Sequence, residues 1–145
     1  MTYRPYSAIK ASGIQLNYTN GSGSSMTKGT PVKIKPDGNM DFINVSIEAD
    51  VLAIGGCVGS DVSDGIRGGM ITSGRIESIT TTAVFGDAIW LSKAGGLTNV
   101  KPEVGVGGFI AGDFVVRIGT IAKNESFPSQ KDLVLELTLV GQLVV

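Results

Sequence analysis

Apolar and polar residues alternate along most of this chain in short runs, each closed by a glycine-bearing turn. A period of two sends successive side chains to opposite faces of an extended strand, so the pattern predicts β-structure. In Gly86-Asp87-Ala88-Ile89-Trp90-Leu91-Ser92-Lys93-Ala94-Gly95-Gly96-Leu97 an apolar strand enters two consecutive glycines and returns through Leu97. Glycine supplies the positive φ that a tight hairpin demands, and the stretch predicts a β-hairpin. The same frame occurs earlier as Gly29-Thr30-Pro31-Val32-Lys33-Ile34-Lys35-Pro36-Asp37-Gly38-Asn39-Met40. Gly29 matches Gly86, Val32 matches Ile89, Ile34 matches Leu91, Gly38 matches Gly95 and Met40 matches Leu97, with no position skipped.

Each hairpin is followed by similar material. After the first, Phe42 to Ile47 places Ile43, Val45 and Ile47 on one strand face, and Val51 to Val58 is a continuous apolar run through Gly55-Gly56. Such a run predicts a strand buried on both faces. Gly68-Gly69 is expected to break the backbone before a strand over Met70 to Ile79. After the second hairpin, Phe114 to Ile121 carries an Ile118-Gly119 that echoes Ile54-Gly55, and Leu133, Leu135, Leu137 and Leu139 share one face of a last strand. The expectation is an all-β fold, a small β-barrel or β-sandwich over residues 27–145, built from two weakly similar halves at roughly 27–80 and 84–143.

Residues 1–26 read differently. Tyr3, Tyr6, Ile9, Ile14, Leu16 and Tyr18 are scattered among polar residues without a helical period, and Asn20 to Ser25 has the composition of a flexible connector. This part is expected to be an extended N-terminal arm, with those six side chains contacting a partner surface; the alternative is a frayed terminus or a first strand packed on the domain.

Composition narrows the chemistry. The chain has no His, which removes the commonest general base and zinc ligand, and its formal charge of −1 gives no basic field for nucleic acid or anionic membranes. Cys57, the single cysteine, lies in an apolar run without a basic neighbour and reads as a small core residue. With one cysteine no intrachain disulfide forms, and the first residues lack the apolar run of a signal peptide, so a protein made in a reducing cytoplasm is expected. Gly105-Val106-Gly107-Gly108-Phe109-Ile110 lacks the third glycine of a dinucleotide loop. Gly23 to Thr30 has its lysine before the last glycine, where a phosphate loop has it after. Asp61-Val62-Ser63-Asp64-Gly65 has the wrong spacing for a calcium loop. No catalytic, cofactor or metal residue is therefore assigned, and an enzyme is not expected. Trp90, out of phase with Ile89 and Leu91, belongs either to a second buried face or to an interface.

Gly86-Asp87-Ala88-Ile89-Trp90-Leu91-Ser92-Lys93-Ala94-Gly95-Gly96-Leu97-Thr98, followed by Val116-Arg117-Ile118-Gly119-Thr120-Ile121-Ala122, resembles the capsid decoration (cement) proteins of tailed bacteriophages over about residues 27–123. The resemblance implies a small non-enzymatic β-protein on the exterior of a virion head, made in the host cytoplasm, whose partners are the major capsid protein and further copies of itself, a trimer favoured over a dimer. Similar hairpins occur in phage tail, collar and fibre proteins, so an adhesive module of that kind, or a glycan binder, is the alternative.

Overall fold

The computed structural model describes residues 14–145. Among these residues, nine strands and one short helix follow one another: β1 (Ile14–Thr19), β2 (Pro31–Ile34), β3 (Met40–Asp41), α1 (Glu48–Leu52), β4 (Ile54–Val58), β5 (Arg67–Ile76), β6 (Ala88–Leu91), β7 (Leu97–Thr98), β8 (Phe114–Lys123) and β9 (Lys131–Gln142). All the strand pairings are antiparallel. The order is β3-β2-β4-β5-β9-β8-β6-β7, with β1 paired to β5. The path does not close on itself, so the all-β expectation holds while a closed barrel does not.

The two halves correspond at the level of single hydrogen bonds. In the first hairpin Ile34 pairs with Met40 and in the second Leu91 pairs with Leu97, at the matched positions. Gly38 and Gly95 hold φ of 86° and 89°, the left-handed conformation the turn requires. The N–H of Gly29 donates to the Val58 carbonyl at 2.8 Å, and that of Gly86 to the Ile121 carbonyl at 2.8 Å. The ladder shifts register between Val32 and Lys33 in one half and between Ile89 and Trp90 in the other. Val32 faces Gly56 and Ile89 faces Gly119. A Cβ on Gly56 would overlap the Ile71 carbonyl oxygen, and one on Gly119 the Val134 carbonyl oxygen, so both positions admit only glycine. Gly119 thus corresponds to Gly56, one residue beyond the Ile54-Gly55 echo expected from sequence.

Two clusters form the core. Met26, Val32, Met40, Val58, Val62 and Met70 make the smaller, with Tyr18, Ile34 and Phe42 against it; Cys57, Ile71, Ile89, Leu91, Ile118 and Leu133 belong to the larger. Neighbours on one strand divide between them, Cys57 from Val58 and Met70 from Ile71. The β4–β5 pair is therefore buried on both faces, as its uninterrupted apolar run requires.

Three expectations need correction. Residues 42–47 are not a strand: the Asn44 side chain accepts the Ser46 N–H at 3.0 Å and the Asn44 carbonyl accepts the Ile47 N–H at 3.1 Å, which turns the chain into α1. Val51 and Leu52 consequently lie in α1, and β4 starts at Ile54. Gly68 and Gly69 lie inside β5, not at a break.

The expected arm also changes. Ile14, Leu16 and Tyr18 are in β1, which pairs with β5 from Arg67 to Ser73. Asn20, fully buried, donates to the carbonyls of Ser24 at 2.8 Å and Val62 at 2.9 Å and accepts the Ser22 N–H at 3.0 Å. The Gly/Ser tract is an ordered turn wound around that one side chain, and Met26 is core. Tyr3, Tyr6 and Ile9 lie outside the described residues.

Candidate interaction surface

The acidic groups most buried in the protein are satisfied by partners from the protein itself. Asp50, in α1, accepts Lys33 Nζ at 2.6 Å and the Asn44 N–H at 2.9 Å. Its counterpart in the second half, Asp113, accepts Lys93 Nζ at 2.6 Å and the Ile110 N–H at 2.9 Å. Desolvation pushes the Asp113 carboxyl upward, but the lysine and the backbone donor outweigh it and hold its pKa below the ordinary carboxylate value. Asp132, fully buried, takes Arg75 Nη1 at 3.0 Å, the Ser78 N–H at 2.9 Å and Asn124 Nδ2 at 3.0 Å. Asp50 and Asp132 each tie loop residues to a strand, and Asp113 ties two loops together, arrangements that fix the local geometry.

Cys57 is fully buried between β2 and β5, and burial pushes its thiol far above the ordinary range, which keeps it protonated and unreactive. Among the described residues no three carboxylate or thiol groups converge as metal ligands would. A polar hollow of about 470 Å³ lies among Thr27, Lys28, Asp61, Ser78 and Thr80. Asp61 there accepts the Lys28 N–H at 2.8 Å, and Ser78 bonds Gln130, so these groups are already engaged.

Of the residues singled out for contact, those described do not form one patch along the sheet. Ile14 and Leu16 are 61% and 44% exposed on β1, whereas Tyr18 packs on the smaller core cluster. Trp90 is half-buried on β6, opposite Thr98 and Arg117, with β5, β9 and β8 between it and β1 in the strand order. Ile89 and Leu91 beside it are buried, so Trp90 stands on the outer face.

A more continuous apolar surface lies elsewhere. Along β9 the leucines grow steadily more exposed: Leu133 is fully buried, Leu135 and Leu137 are intermediate, and Leu139 is 43% exposed. Leu137 and Leu139 line a shallow groove of about 230 Å³ with Val51, Leu52, Ile54 and Val116, and Leu52 at its rim is 65% exposed. The sequence pattern places all four leucines on one apolar face, and alternation reports a face, not where the opposing layer ends. The detectable signal was length: β9 has 12 residues, against 5 in β4.

In comparison with known proteins, no protein-family model matches this chain and no curated protein matches it.

Proposed function

We propose that this chain is a structural protein of a tailed-phage virion that binds the exterior of the head and stabilises the shell by bridging major capsid protein subunits. The observation that carries the reading is the placement of the decoration-protein motif. Gly86 to Thr98 spans the β6–β7 hairpin, and Val116 to Ala122 lies in β8, the strand paired with β6. The residues that the resemblance joins are therefore one continuous piece of sheet.

The distribution of polar groups supports the same reading. Asp50, Asp113 and Asp132 are taken up in internal ion pairs, while apolar side chains such as Leu16, Leu52 and Leu139 are exposed. Such a surface acts through shape and burial. On a shell, each weak contact repeats many times, and several linked copies raise the effective concentration for the later contacts.

The test is to add purified protein to phage heads that lack a decoration layer, pellet the heads, and measure bound protein. Saturable binding at a fixed ratio to the capsid protein, with heads more resistant to heat, is the expected result. Absence of co-sedimentation at micromolar concentration refutes the reading, and binding to tails but not to heads selects the tail or collar alternative.

A further inference from the structure

We propose that the free edge of β9, residues 136–142, pairs antiparallel with the same edge of a second copy of the chain about a two-fold axis. β5 accompanies β9 only from Leu133 to Leu135. Beyond that point, among the described residues, β9 pairs with β8 alone. The β8–β9 ladder shifts register near Leu137 and near Val140, the stretch in which β9 has no pairing with β5. Alternate backbone N–H and C=O groups of 136–142 therefore point away from β8, with no strand among the described residues to meet them. The Glu136 carbonyl is met by the Thr138 hydroxyl of its own chain at 3.3 Å, a weak local substitute.

The other strands at the margins of the sheet are poorer templates. β3 and β7 have two residues each, and the β1 register is broken between Ile14 and Gln15. The β9 edge is longer, and it is flanked by Leu52, Leu139, Val140 and Val144, all more than two-fifths exposed. Burial of that patch adds a hydrophobic contribution to the backbone ladder.

Charge selects a second copy, arranged antiparallel. Glu136 is the single ionisable side chain in 136–142. A ribbon centred on Leu139 places each Glu136 opposite Gln142 of the other copy, so the two carboxylates sit at opposite ends and do not repel. The same register sets Leu139 against Leu139 on the axis, and the contact closes after two copies. This differs from the trimer implied by the resemblance, and it stands independently of whether the protein binds a phage head.

The experiment is analytical ultracentrifugation of the full chain and of Leu139→Lys and Leu139→Glu variants. The wild type is expected at about twice the 15.0 kDa of one chain. Each variant places like charges face to face on the axis and is expected to weaken association by about tenfold or more. Mixing the two variants is expected to restore the dimer, because lysine then faces glutamate. Thr138→Lys and Thr138→Glu serve as a second pair if the Leu139 variants lose the wild-type circular dichroism spectrum. A monomeric wild type, a trimer, variants that dimerise as well as wild type, or a mixture that stays monomeric each overturns the proposal.

Discussion

Replacing Gly119 by alanine tests whether the close approach of β8 to β9 organises the second half. The added methyl would overlap the Val134 carbonyl oxygen, which is main chain and belongs to the ladder itself. No side-chain rotation relieves such a contact, so the strands must separate or shift. Overpacking of this kind costs about 1–3 kcal/mol, and a backbone neighbour argues for the upper end. Against it, alanine reduces the entropy of the unfolded chain and returns about 0.4–1 kcal/mol. The net expectation for Gly119→Ala is a loss of about 2 kcal/mol, or roughly 4–8 °C in Tm for a chain of this size. Urea unfolding followed by circular dichroism measures it, with an unchanged slope confirming that the native state is altered and not the unfolded one. Gly56→Ala is expected to lose a similar amount, since its methyl meets the Ile71 carbonyl in the matching place. Gly96→Ala is the control: its nearest neighbour is Ser92 Oγ at 3.6 Å, and its expected change is within about 0.5 kcal/mol. If Gly119→Ala matches that control, the argument from close approach is refuted.

Three further outcomes follow from particular contacts. Cys57→Ser places a hydroxyl among apolar groups and is expected to cost about 1–3 kcal/mol, while a thiol reagent at neutral pH labels wild-type Cys57 only after denaturant is added. Because the Asp113 pKa is lowered in the folded state from its ordinary 3.8, the stabilisation from its pair with Lys93 is complete above that value and is lost as pH falls through the folded pKa; urea midpoints measured from neutral pH downward should fall less steeply in acid for Asp113→Asn than for wild type. Deleting residues 1–26 removes β1, Asn20 and Met26 and is expected to cost at least about 3 kcal/mol or to prevent folding, whereas a dispensable arm would leave the urea midpoint unchanged.

The repeat was legible because its signature is local. Gly38 and Gly95 are fixed by turn geometry, and the alternation around Val32 and Ile89 by the pleat, so matching the hairpins required no knowledge of tertiary contacts. The break of residues 42–47 was hidden because Ile43 and Val45 alternate as a strand would; Asn44 and Asp50, two polar side chains bonded to backbone, decide that segment. The same logic misread Asn20 to Ser25, where composition suggested a linker and one buried amide organises a turn. For Trp90 the alternation shows only that it is out of phase with Ile89 and Leu91; that it lies opposite Thr98 and Arg117 is set by pairing with other strands. The free edge of β9 was beyond reach for a related reason: it depends on where β9 parts from β5, whose preceding residue Ser73 pairs with Ile14 of β1, a property of pairing between residues far apart in the chain.

The division of β5 has a consequence for the order in which the chain is made. Its first part, through Met70 and Ile71, pairs with β4, whereas Gly74 to Ile76 pair with Leu133 to Leu135 of β9. During synthesis the β2–β4 and β4–β5 ladders can form as soon as β5 emerges, yet the end of β5 waits for residues made almost last. At about 5–20 residues per second that interval lasts several seconds. Through it, Ile76 and its neighbours present an unpaired strand end to every other nascent chain on the same message, and the rate of elongation over the β6–β8 segment becomes a determinant of yield.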